Sequence, residues 1–275
     1  MKKRLSTILL VAVLVTGLSL LLYPTVSNYW NMRTQSRAVA AYKDAAGQLN
    51  QQDTSALFTA AETYNAQLRQ YGLQGFYDPS LVPGYQELLD VTGTGIMGYI
   101  TIDKLGLELP IYHGTSADVL QVAAGHLEGT SLPTGGEGTH CVISAHRGLP
   151  SATLFSNLDK MEEGDTFTLT VLDRLMTYQV DQILVVDPNQ VDALQVEEGM
   201  DYCTLMTCTP YGVNTHRLLV RGVRIPNPDP ETTTLVVLDE ARKIPVVGVG
   251  AIVSVPCLIA AFILLLKYWR KPKGR

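Results

Sequence analysis

The chain has 275 residues, 46% of them hydrophobic and only 17% charged, with a formal net charge of −5. Soluble domains carry roughly 25% charged residues, and the shortfall traces to two apolar runs near the ends, which argues against a plain cytosolic protein. Eight of the 21 lysines and arginines flank those runs, leaving 13 cations against 26 acids in between; so acidic an interior lacks the clustered basic face that nucleic-acid binding needs.

Leu5–Leu22 is the first run, 18 residues without a charge after Lys2, Lys3 and Arg4. At 1.5 Å per residue it is about 27 Å long, near the roughly 30 Å core of a bilayer. The reading is a cytoplasmic tail and uncleaved anchor over 1–33, because the nearby A-x-A triplet, Ala38-Val39-Ala40, lies too far past the run for signal-peptide cleavage. Residues 34–73 form a helical extension, with Leu57, Ala60, Ala61, Tyr64 and Leu68 at helical spacing and a break near Gly47. Gly72, Gly75, Pro79, Pro83 and Gly84 then forbid a long helix, and 74–90 reads as a loop carrying aromatics and Asp78.

Residues 91–226 are strand-like. Apolar or alternating runs fall at Tyr99–Ile102, Leu109–Tyr112, His140–Ala145, Thr166–Leu172, Thr177–Val186, Tyr202–Thr209 and Leu218–Ile225, which predicts seven or eight strands in a barrel or sandwich. Short helices are expected at Ser116–Gly125 and Ala152–Asp159. Residues 227–243, opened by Pro228 and Pro230, make a tether. Ile244–Leu266 is a second run, 23 residues long and so about 34 Å as a helix, followed by a basic tail over 267–275. Basic flanks at both ends put both termini in the cytoplasm and the domain between two spans outside.

The four cysteines, Cys141, Cys203, Cys208 and Cys257, form neither a disulfide framework nor a zinc-ligand spacing. Cys257 lies in the second apolar run, and Cys141 and Cys203 lie inside strand-like runs as core residues. Cys208 ends the strand-like Thr204-Leu205-Met206-Thr207-Cys208 beside a Pro-Tyr-Gly turn. There the thiol is either a half-buried structural group or one exposed enough to meet substrate. Arg217, nine residues on, is either a solvated strand-edge charge or a guanidinium beside the sulfur, able to favour a thiolate and hold an oxyanion. Thiol catalysis also needs a proton donor for the leaving group, and His146 is one of five histidines that could supply it.

Two segments narrow these alternatives. TLMTCTPYGVNTHRLLVRG, residues 204–222, resembles the sortase signature T-L-x-T-C followed by R-L-x-V, and CVISAHRG, 141–148, resembles the family's histidine strand. GIMGYITIDKLGLELPIYHGTS, 95–116, and AGHLEGTSLP, 124–133, are similar to the first half of the barrel in the pilus-assembling class C group. The resemblance implies a mainly β fold, a closed eight-stranded barrel with short helices, an N-terminal helical extension and two transmembrane helices. It implies Cys208 as nucleophile, His146 as general acid/base and Arg217 as oxyanion donor, with no cofactor and no metal. The implied reaction is transpeptidation at an LPxTG-like sorting signal, on the outer face of a Gram-positive membrane. The partners would be pilins that bear that signal and an acceptor lysine.

Class C sortases often close the site with a lid in which Asp-Pro precedes an aromatic. Here Asp78 and Pro79 match, but Ser80 follows, so Phe76 or Tyr77 must supply the ring if one does. An Asp78–Arg217 ion pair would hold such a lid shut; an Asp78 that only caps a turn is the alternative. Three other functions share parts of this pattern. A wall-anchored adhesin or pilin would need LPxTG before the last span, and the nearest likeness, Leu132-Pro133-Thr134-Gly135, lies mid-domain without the spacer residue. A secreted cysteine protease differs only in using water as acceptor. A housekeeping sortase would use a wall-precursor amine, and the second span, the helical extension and the lid-like loop count against it.

Overall fold

A computed structural model describes residues 2–228. Most of the tether, the second apolar run, the basic tail and Cys257 lie outside the described residues. The described residues fall into two units, 2–27 and 28–228. Helix α1 (Lys2–Gly47) is continuous through Pro24. Its apolar stretch from Val11 reaches a mean hydropathy of 1.5, long and apolar enough to cross a membrane.

In the second unit, helix α2 (Gln51–Tyr71) starts at Asn50, whose side chain accepts from Asp53 N, and stops at Gly72, whose φ of +52° suits glycine. Its buried face is Thr54, Phe58, Ala61, Tyr64, Asn65 and Leu68. Phe58 takes the inward place that periodicity alone gave to Ala60, and Leu57 packs half-buried beside it. Asn65 docks this helix as a strand edge would. Its Oδ1 accepts from Leu132 N at 2.7 Å, and its Nδ2 donates to Leu132 O at 3.2 Å.

Eight strands follow: β1 (Ile96–Ile102), β2 (Leu107–His113), β3 (Ala124–His126), β4 (Thr139–Ser144), β5 (Thr166–Val171), β6 (Arg174–Val186), β7 (Asp201–Thr209) and β8 (His216–Ile225). They close a barrel in the order β1-β2-β3-β4-β7-β8-β6-β5. Only β2/β3 and β4/β7 run parallel. Inward side chains such as Ile100, Ile111, Ile143, Leu169, Leu205 and Val220 form one core with the buried faces of the helices. The stacked Phe167–Tyr178 pair fits against Gly222, where an added Cβ would meet the Phe167 ring at 2.8 Å.

Two expectations need correction. Ser116–Gly125 splits into a single turn, α4 (Ala117–Leu120), and strand β3, which is too short to show a period. Ala152–Asp159 is not a helix. Leu154 sits at φ +41°, a left-handed geometry no helix contains, and only Leu158–Lys160 forms a 3₁₀ turn.

Helix α1 is fastened to the barrel by Tyr42. Its hydroxyl donates to Met97 O at 2.9 Å and accepts from Leu172 N at 2.8 Å, fully buried. Tyr42→Phe strands both partners without solvent, so the expected loss is about 1–3 kcal/mol. A thermal melt of the full chain in detergent micelles reads it as a lower midpoint. An unchanged midpoint would show that this hydroxyl does not fasten the helix.

Candidate functional site

Antiparallel β7/β8 pairing sets Cys208 directly opposite Arg217, after Met206↔Leu219 and Thr204↔Arg221. Residues so opposed have Cα atoms about 4.5–5.5 Å apart and project from one face. Cys203 and Leu205 point into the core, so by alternation Cys208 and Arg217 stand on the outer face of the sheet. On the other side of β7, the parallel ladder pairs Ser144 with Met206, and Ala145 N donates to Met206 O at 3.2 Å. Two residues past the last paired position, His146 comes level with Cys208. Thr207 Oγ1 supports this turn by donating to Ala145 O at 2.8 Å. All three residues are partly exposed.

The other two described cysteines are different. Cys141 and Cys203 oppose each other across β4 and β7 and are buried in the core. Burial pushes the Cys203 thiol well up, which keeps it protonated and inert. Three other histidines serve the scaffold. His126 Nε2 donates to Ser131 O at 2.8 Å, leaving Nδ1 to accept from the Tyr85 hydroxyl at 2.8 Å. His140 bonds Gln195 O and Thr204 Oγ1, and His113 bonds Gly95 O and Leu88 O. Among the described residues no group of three His, Cys, Asp or Glu is placed to hold a metal ion.

Arg217 Nη1 donates to His216 O at 3.1 Å and reaches Asn214 O at 3.5 Å. The Asp78–Arg217 ion pair does not form. Asp78 Oδ1 instead accepts from Ser80 Oγ two residues on, a short-range bond that the sequence Asp-Pro-Ser makes easy. The Arg217 guanidinium thus carries no carboxylate partner among the described residues, which leaves donors for an anion beside Cys208.

Arg147 is a residue that sequence reasoning missed. Its Nη1 donates to Thr209 Oγ1 at 3.1 Å and its Nη2 pairs with Asp159 at 2.8 Å. One side chain therefore ties the neighbour of His146 to the neighbour of Cys208. The sole signal was its position in Ala145-His146-Arg147-Gly148, which says nothing of a partner 62 residues away.

Beside Arg217 lies a groove of about 310 Å³, lined by Leu127, Val186, Leu194, Met206 and Leu219 and walled by Phe76 and Tyr77. Phe76 belongs to a five-residue helix, α3 (Leu73–Tyr77), where the sequence predicts only loop. Its ring packs on the apolar cluster of Val142, Val186, Leu194 and Leu219, whereas Tyr77 is 68% exposed. The α3 backbone rests on Gly129, where an added Cβ would lie 2.9 Å from Phe76 Cα and O. Gly129 also has φ +87°.

Comparison with known proteins agrees with this architecture. The Sortase domain family model matches residues 100–225. Sortase D of Bacillus subtilis is 29% identical over 131 residues, covering 46% of this chain and 63% of that relative, so the chain spans less than two thirds of it. The crystal structure of sortase C1 from Streptococcus agalactiae is 48% identical, with TM-score 0.64, covering 70% of this chain and all of the other (100%). A sortase C structure from Streptococcus pneumoniae, described with insights into pilin substrate specificity, is 42% identical with TM-score 0.60, covering 70% and 99%.

Gly129→Ala is expected to push α3 off its seat and expose the groove. Alkylation of Cys208 by a small thiol reagent should then accelerate several-fold. Equal alkylation rates in the variant and the wild type would show that α3 does not shield the site.

Proposed function

The chain belongs to the sortase family, in its class C group, and from that premise we propose that it is a cysteine transpeptidase that polymerises pilins. It cleaves an LPxTG-like sorting signal and passes the acyl group to a pilin lysine. The observation that supports this reading is the pair of strand registers that set Arg217 opposite Cys208 and run β4 toward His146 beside it, with an apolar groove against Arg217.

Each residue then has a task set by its chemistry. The Cys208 thiolate attacks the threonine carbonyl carbon, and the carbonyl electrons move to oxygen, facing the Arg217 donors. Collapse breaks the Thr–Gly C–N bond while protonated His146 gives its proton to the leaving amine. A thioester remains on Cys208. Neutral His146 accepts a proton from the lysine amine as that nitrogen attacks, and the thiolate departs. The apolar groove suits the Leu and Pro side chains of the signal. The Phe76 ring serves as the lid aromatic in place of the residue occupied by Ser80, with Asp78, Pro79 and Tyr77 completing the loop.

Helix α1 anchors the enzyme in the membrane, and Ile244–Leu266 supplies a second span. Both termini are then cytoplasmic and the barrel extracellular, where pilins are met.

Arg217→Lys keeps the charge but loses the planar fork of donors. Removing one oxyanion donor costs about 2.7–4 kcal/mol in the barrier, so kcat for cleavage of an LPxTG peptide should fall a hundredfold or more. His146→Ala should slow both peptide cleavage and transfer to a pilin amine, because one imidazole serves both steps. Turnover by either variant within a few-fold of wild type would remove that residue from its role.

A further inference from the structure

We propose that Asn28 and Asn31 of α1 are positioning residues for His146, so that the helix carrying the apolar run also helps to aim the imidazole. This rests on the reading of His146 as the acid/base. The bond His146 makes is through its backbone, whose carbonyl accepts from Phe155 N at 3.1 Å. The aim of the ring therefore depends on the loop that follows β4 (Thr139–Ser144) and returns to His146 at Phe155.

That loop is held from outside by α1. Asn28 Oδ1 accepts from both Thr153 N and Thr153 Oγ1, at 2.8 and 2.9 Å. One turn on, Asn31 Nδ2 donates to Ser151 O at 2.8 Å. Inside the loop, Ser156 N donates to Thr153 O at 2.8 Å and Gly148 N to Ser156 Oγ at 3.0 Å, which carries the clamp back to the residues after His146. Leu154, between the clamped Thr153 and Phe155, is buried at φ +41°. A leucine keeps that strained geometry only where its surroundings over-determine it, and the bonds to Asn28 are such a constraint.

Gln35 supplies an internal comparison. It continues the same stripe of amides (28, 31, 35) and donates to Val122 O at 2.7 Å, on a segment remote in sequence from the histidine loop. Gln35→Ala should loosen α1 as much as either asparagine variant without touching that loop.

The experiment measures cleavage of an LPxTG peptide by the full chain in detergent micelles, with kcat, KM, pH profile and thermal midpoint for each variant. Asn28→Ala combined with Asn31→Ala is expected to lower kcat tenfold or more, since small misplacements of a catalytic group are that costly. KM should change less than twofold, and the pH limb that His146→Ala abolishes should shift. Asn28→Asp keeps the acceptor and should retain the wild-type rate; Asn31→Asp loses the donor and should behave as Asn31→Ala. Gln35→Ala should lower the midpoint with kcat intact. A double variant within twofold of wild-type kcat, or a Gln35→Ala variant losing as much kcat, would overturn the proposal. Full turnover by His146→Ala would instead remove the acid/base reading beneath it, whatever the asparagine variants do.

Discussion

Strand β7 is hydrogen-bonded to β4 in parallel register on one side and to β8 in antiparallel register on the other. The first register brings His146 level with Cys208, and the second sets Arg217 opposite it. A slip of one residue in either ladder would turn one of these side chains to the other face. The register is protected because the alternate positions, Cys141, Ile143, Cys203, Leu205, Leu218 and Val220, are all buried in the barrel core. Apolar burial on one face thus fixes which side chains meet on the other.

The polar contacts around the site complete what the ladders begin. Cys208 and Arg217 lie within ladders, whereas β4 ends at Ser144, so His146 projects from a loop. Arg147, bonded to Thr209 and Asp159, restores part of the missing rigidity. Helix α3 rests its backbone on Gly129 and walls the groove with Phe76 and Tyr77.

Much of this was legible in the sequence, and the limits have physical causes. Long amphipathic or alternating segments announced α2 and seven of the strands, because burial imposes their periods. Strand β3 escaped, since Ala124-Gly125-His126 is too short to display one. The nearness of Cys208 and Arg217 followed from a loop short enough for neighbouring strands. The nearness of His146 depends on a parallel pairing of segments about 60 residues apart, for which spacing carries no signal; only the family resemblance supplied it. Of the two alternatives for Asp78, the pair with Arg217 does not form, because a charge in a loop finds its nearest partner first, here Ser80. The bonds of Asn28 to Thr153 join residues 125 apart in the chain, beyond any local pattern.

The most direct test of the account is to trap the acyl-enzyme. The full chain in detergent micelles, mixed with an LPxTG peptide and quenched in acid, would be digested and its thioester located by mass spectrometry. The expected result is an acyl adduct on Cys208, ending at the threonine of the peptide, with Cys141 and Cys203 unmodified. An adduct on Cys203 or Cys141, or peptide cleavage that persists in Cys208→Ala, would contradict the assignment of the site.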